Sequence, residues 1–139
     1  MNRPTNEVLG RLAFLANTRG IIPDPIDATR VDAYCTSKAN QVYVVYTVPA
    51  GKRLFIDSLW LCHENDSNAM QDVDLYIRSA SDVYLLSLCW LPTATLQAAN
   101  HSQTICPAQE VNELEDICVK SYNAASYVSA GIHGWLESV

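Results

Sequence analysis

The sequence predicts an all-β protein: an antiparallel eight-stranded β-sandwich, jelly-roll-like, with an N-terminal arm. Three observations lead there. From residue 41 onward, runs rich in Val, Ile, Leu and Tyr alternate with turn signals at a spacing of roughly 8–12 residues, which belongs to sandwiches and barrels. No run in that stretch keeps a helical period, so an α/β fold is disfavoured. Residues 1–40 instead collect Pro4, Pro23 and Pro25 and carry no strand pattern. The chain therefore divides into an arm over 1–40 and a sandwich domain over 41–139.

Within the arm, Val8, Leu12 and Leu15 recur at helical spacing and predict a short amphipathic helix over Asn6 to Asn17. Gly10 weakens it by about 1 kcal/mol, and no capping box opens it. Gly20 and Pro23-Asp24-Pro25 stop it. Two readings of this stretch stand side by side: an arm that orders on a neighbouring molecule, or a helix and loop packed on their own domain. On the first reading Val8, Leu12, Phe14 and Leu15 are the anchors.

The sandwich opens with Gln41 to Val48, rich in β-branched and aromatic residues. Pro49-Ala50-Gly51 should reverse the chain, with Pro49 at the first corner and Gly51 at the exit. Arg53 to His63 is the next strand, and Glu64 to Asn68 a polar loop. Met70 to Arg78 alternates, with Val73, Leu75 and Ile77 on one face and Asp72, Asp74 and Tyr76 on the other. Ser79 to Asp82 is a hairpin turn, Val83 to Leu91 a strand, and Pro92 its end. Thr93 to Ala98 and His101 to Cys106 form two weaker strands around Ala99-Asn100. Pro107 opens a connection. Leu114 to Tyr122 resumes a strand, Asn123 to Ala125 turns, and Tyr127 to Leu136 closes the domain.

The strand Val83 to Leu91 is apolar on both faces. One face carries Val83, Leu85, Ser87, Cys89 and Leu91, the other Tyr84, Leu86, Leu88 and Trp90. A sandwich strand has one core face, so the strand is either an inner one or covered by a partner. Tyr84, Leu86, Leu88 and Trp90 are therefore assigned to an oligomer interface. A symmetric homo-oligomer is the simplest cover, and the arm is the competing lid.

Charge and chemistry exclude several classes. The formal charge is −6 and the pI about 4.8. Binding nucleic-acid phosphates needs a surplus of Lys and Arg, so no nucleic acid is expected. No apolar run approaches the ~20 residues that span a bilayer, so no membrane is expected. Leu12 to Ala16 is too short for a secretory signal core of ~7–15 residues, which points to a reducing cytosol. The five cysteines are odd in number and none lies in a CxxC spacing. They read as buried free thiols. The alternative is one disulfide formed after release into an oxidising medium.

Cys62-His63-Glu64 with Asp66 resembles a ligand cluster, but strand neighbours point to opposite faces, so these read as solvated residues at a loop edge. Asp72 and Asp74 share a face. A calcium site needs about six oxygens, and nothing nearby in sequence supplies them, so they read as a polar outer face. His101 and His133 lack a nucleophile elbow or HExxH context, and are too few for a metal cupin. The expectation is no enzyme, no cofactor and no metal.

Beyond these readings, one pattern resembles a known family. Tyr46-Thr47-Val48-Pro49-Ala50-Gly51-Lys52-Arg53-Leu54-Phe55-Ile56 resembles the opening of small jelly-roll virion proteins of tailed bacteriophages. Pro107 with Leu114-Glu115-Asp116-Ile117-Cys118-Val119 resembles their edge strand, with Glu115 where those proteins usually have Gly. Ile132-His133-Gly134-Trp135-Leu136-Glu137 resembles their last strand. The similarity covers about residues 44–137 and is greatest to capsid decoration (cement) proteins. It implies a structural protein on the outer capsid surface, trimeric, bound to the major capsid protein and made in the host cytoplasm. The alternative it leaves is a tail, baseplate or fibre subunit contacting a receptor. A carbohydrate-binding module using Trp60, Trp90 or Trp135 is the more distant alternative; two coplanar exposed rings would favour it.

Overall fold

The computed structural model describes residues 29–38, 41–122 and 126–139. The strands are β1 (Thr29–Lys38), β2 (Val42–Thr47), β3 (Lys52–Asn65), β4 (Gln71–Arg78), β5 (Tyr84–Thr93), β6 (Gln97–Val111), β7 (Asp116–Ser121) and β8 (Ser126–Ser138). They form two four-stranded antiparallel sheets, in the orders β1-β8-β3-β6 and β2-β7-β4-β5. This interleaved order is that of a jelly roll. β1 lies across the sandwich from β2, and β5 from β6.

The core is where the strand alternation puts it. Val73, Leu75 and Ile77 of β4 are buried, as are Ile117 and Val119 of β7 and Val128, Ala130 and Ile132 of β8. β3 buries Leu54 and Ile56, then Leu59 and Leu61, so its phase changes midway. A register shift between Ile56 and Ser58, against both β6 and β8, inserts Asp57 and accounts for the change.

Several turns and strand ends differ from the sequence expectation. The reversal after β2 comes one residue later than expected: Lys52 N donates to Pro49 O at 3.2 Å, and Gly51 takes the left-handed position at φ 70°. Thr29 to Lys38, assigned to the arm, instead forms β1 and pairs with β8 along its whole length, from Thr29 opposite Leu136 to Lys38 opposite Tyr127. Residues 1–28, with Val8, Leu12, Phe14 and Leu15, lie outside the described residues. The two weak strands around Ala99-Asn100 are one strand, β6, whose register against β3 runs unbroken from Gln97 to Thr104. The count of eight therefore stands with different members: β1 enters and two expected strands merge. Pro92 lies inside β5 rather than ending it, which an edge strand tolerates because a missing N–H there need not break the ladder.

Candidate functional site

The richest constellation of side chains lies on the outer face of the β2-β7-β4-β5 sheet. Asp74 sits at its centre, opposite Lys120 on β7 and Trp90 on β5. Its side chain is buried, and it accepts hydrogen bonds from Tyr84 Oη at 2.9 Å and Ser87 Oγ at 2.6 Å. Burial pushes its carboxyl above the usual range, against the opposing pull of these two donors. The cover is aromatic. Tyr84 stacks on Tyr76 with centroids 4.9 Å apart, and Trp90 packs on Tyr122 at 5.7 Å with Lys120 Nζ 4.8 Å from the Tyr122 centroid. Burial also pushes the Tyr76 hydroxyl up to about 12 and the neighbouring Cys118 thiol to about 11. Beside this cluster Arg78 clamps three elements. Its Nε and Nη2 donate to Asp116 Oδ2 at 3.0 and 2.9 Å, and its Nη1 meets Asp82 at 2.8 Å. Thr47 donates to the other oxygen of Asp116 at 2.6 Å.

The four residues expected at an oligomer interface do not share one face. Tyr84 and Trp90 lie on the outer face, opposite Arg78 and Asp74. Leu86 lies opposite Ile77, on the core side, yet is 43% exposed. Leu88 falls in a bulge and packs partly against the core. Register shifts at Leu75/Tyr76 and Ile77/Arg78 break the two-residue alternation on which the expectation rested. β5 is also an edge strand and not an inner one. At this rim Val83, Tyr84, Leu85, Leu86 and Trp90 are all exposed.

The other sequence candidates resolve as follows. Cys62, Glu64 and Asp66 are exposed, but His63 is buried on the opposite side, with Nδ1 hydrogen-bonded to Thr93 Oγ1 at 2.8 Å. Burial lowers its pKa. Asn65 is buried too, and donates to the carbonyls of Ala69, Thr93 and Ala94 while its oxygen receives Ser67 N and Oγ. His63 and Asn65 thus fasten the β3–β4 loop to the β5–β6 connection and are not solvated loop-edge residues. Asp72 and Asp74 share a face as expected, but Asp74 is enclosed rather than polar surface. His133 is hydrogen-bonded to Asp32 across β1 and β8, while Ser58, opposite His133 in register, donates to Asp57 at 3.0 Å. His101 is bonded to Gln103 at 3.3 Å. Two hollows of about 240 and 230 Å³ dent the outer face of the other sheet, one around Cys62 and Tyr127 and one around Trp60 and His133. Among the described residues, no three His, Cys, Asp or Glu side chains are placed to hold a metal ion.

The tryptophans divide by position. Trp135 is buried and stacks on Phe55 at 5.4 Å, while Nε1 donates to Glu137 at 2.8 Å. Trp60 is half-buried against Gly131. Trp90 is 53% exposed and tilted by 33° to Tyr122. The coplanar exposed pair that would favour glycan binding is not formed by Trp90 and Tyr122.

No family model matches the chain, and no curated protein matches it. Among solved structures it is similar to a chain of the cyanophage Pam1 capsid asymmetric unit, at 15% identity over 81% of this chain and 89% of that one, TM-score 0.44. It is similar to a pentameric capsid protein from metagenomic phage sequences, at 10% identity over 100% and 92%, TM-score 0.41. It is also similar to a chain of the Bacillus endospore appendages, described as disulfide-linked pili, at 11% identity over 81% and 91%, TM-score 0.37.

Proposed function

We propose that this chain is a structural virion protein that decorates a phage capsid from its outer surface and cements it, working as a homo-oligomer, trimeric as the resemblance implies. The observation that carries this reading is the exposed rim of β5 on a jelly-roll body. Tyr84, Leu86 and Trp90 stay open to solvent at 43–53% exposure in a strand where a lone sandwich would present polar groups. Tyr84 and Trp90 have the apolar body and polar tip that suit a wet interface. Leu86 and Leu88 extend the same rim towards the core.

Charge supports an outside position. From Thr29 onward six basic residues meet twelve acidic ones, so the sandwich carries the whole −6 and residues 1–28 are neutral. Packaged DNA would repel such a body. The major capsid protein is the partner, with Val8, Leu12, Phe14 and Leu15 as arm anchors. Repeated around an oligomer, a few such anchors give avidity without one tight contact.

Imaging the particle that contains this gene product tests the reading. Density for the sandwich on the outer capsid face, across contacts between capsid subunits, supports it. Density only at the tail or fibre tip overturns cementing in favour of the receptor-contacting alternative, and absence from the particle overturns both.

A further inference from the structure

We infer that the side of the sandwich built by β5 and β6 is the surface by which this chain joins a second copy of itself. The inference deepens the proposed function and rests on its homo-oligomer.

Among the described residues β5 and β6 are the terminal strands of their two sheets and lie across the sandwich from each other, so two sheet edges that no described strand pairs with run side by side. A free edge offers unpaired backbone N–H and C=O groups to any other strand, and monomeric proteins blunt such edges with charge. Here no Asp, Glu, Lys or Arg occurs between Asp82 and Glu110, a stretch that takes in all of β5 and all of β6 up to Gln109. The opposite side of the sandwich is treated differently. β1 carries Arg30 and Asp32, with Asp32 bonded to His133, and β2 is only six residues long.

The exposed side chains on the uncharged side are mixed in kind. β5 and the residue before it present Leu85, Leu86 and Val83 at 43–57% exposure. The bulge that breaks its register at Ile77/Arg78 leaves Leu85 outside the pairing and Leu86 on the open mouth of the sandwich. β6 presents exposed polar, uncharged residues from Asn100 to Thr104, in the part of the strand whose register is regular.

Charge selects the partner. The whole −6 lies outside this side, so two copies meet here without charge repulsion, and a cationic or anionic partner finds nothing to pair with. Size agrees. A strand of ten residues is about 33 Å long, and two sheets about 10 Å apart with their side chains are about 25 Å deep, which gives about 800 Å² per copy, the area a stable protein–protein contact buries on each side.

Sedimentation of the full chain from 1 to 100 µM, beside Leu85→Lys, Gln103→Lys and Val42→Lys, tests the inference. The wild type should assemble. Leu85→Lys and Gln103→Lys should each weaken assembly at least tenfold with the far-ultraviolet dichroism unchanged, and Val42→Lys, on β2, should not. Should a lysine variant unfold, hydrogen exchange of the wild type decides: β5 and β6 amides should gain protection as concentration rises. Protection independent of concentration would make the cover a segment of the same chain and overturn the inference, as would assembly unaffected by both lysines. Capsid binding is scored in parallel. A monomer that binds capsids overturns this inference and the homo-oligomer it rests on but leaves the cement reading standing, and an assembling chain that binds none overturns the cement reading alone.

Discussion

Replacing Gly134 with Ala should be the most damaging methyl addition among Gly51, Gly131 and Gly134, and the structure says why. Gly134 on β8 lies opposite Ile56 on β3, beside the Asp57 bulge. A Cβ at Gly134 would overlap the carbonyl oxygen of Phe55 and lie 3.0 Å from its carbon and 3.1 Å from Ile56 Cα. All three atoms are backbone of a central strand and cannot rotate away. The two strands would have to part by about an ångström from their ~4.8 Å spacing. That forfeits about two ladder hydrogen bonds at ~1 kcal/mol each and adds overpacking of ~1–3 kcal/mol, for a loss of about 3–5 kcal/mol. At about 3–4 °C per kcal/mol for a chain of this size, the melting temperature should fall by about 10–20 °C. Gly51→Ala tests the other use of glycine. Nothing lies within 4 Å of its Cβ position, so only the left-handed strain at φ 70° acts, about 1 kcal/mol or about 4 °C. Gly131→Ala should fall between, because the obstacle there is the Trp60 indole, a surface side chain that can swing aside. Thermal melts followed by circular dichroism rank the three. A Gly134→Ala melt within about 3 °C of wild type, or a larger loss at Gly51, would refute the reasoning.

Leu114→Gly should stabilise by up to about 1 kcal/mol, since Leu114 holds φ 63° while half exposed and so has strain to release and little burial to lose; a lower denaturation midpoint would count against this. Asp74→Asn should be more stable than wild type at pH 7. The folded-state pKa of Asp74 is raised above 3.8, so its ionised form burdens the fold at high pH and the advantage should vanish as pH falls below about 4; a variant weaker at both pH values would contradict the assignment. In the native protein at pH 8, Cys62 and Cys106, both exposed, should alkylate quickly, while Cys89 and Cys118, buried and with raised pKa, should lag; denatured without reductant, five thiols should titrate, and three or one would mean disulfides. Removing residues 1–28, which stops short of β1, should leave a soluble sandwich that no longer protects capsids against heat; undiminished protection would show that Val8, Leu12, Phe14 and Leu15 are not the clamp.

The fold was legible wherever one face of a strand is large and apolar. Val73, Leu75 and Ile77 announce β4 because they form one apolar face in the core cluster, while Asp72, Asp74 and Tyr76 between and beside them take the other face. β1 escaped for the opposite reason. Its core side is Val31, Ala33 and Cys35, two of them small, and its other side holds Arg30, Asp32 and Tyr34, so the burial signal is faint and the pairing with β8 supplies the rest. β6 looked like two strands because an edge strand needs no continuous apolar face, and Ala99-Asn100 is turn-like only when its partner on β3 is unknown. The closing motif explains itself in retrospect: Ile132 and Leu136 fill the core, His133 meets Asp32, Gly134 admits β3, and Trp135 covers Phe55 and holds Glu137.

What stayed hidden was decided across strands and not along them. β5 read as two clean faces, yet two bulges set by its pairing with β4 send Tyr84 and Trp90 outward and Leu86 to the mouth of the sandwich. Asp74 read as surface because it shares its strand face with Asp72 and Tyr76; its enclosure comes from Tyr84 and Ser87, brought over it by the hairpin. The same hairpin places the rim of β5 beside β6. From there on the informative quantity is the charge that the two strands lack, which the sequence displays openly but which acquires meaning only when both strands prove to be sheet edges on one side of the sandwich. An uncharged run inside a core would say nothing about partners. The same run along two exposed edges gives copies carrying −6 a side on which they meet without repulsion, and that side is where the lysine substitutions should act.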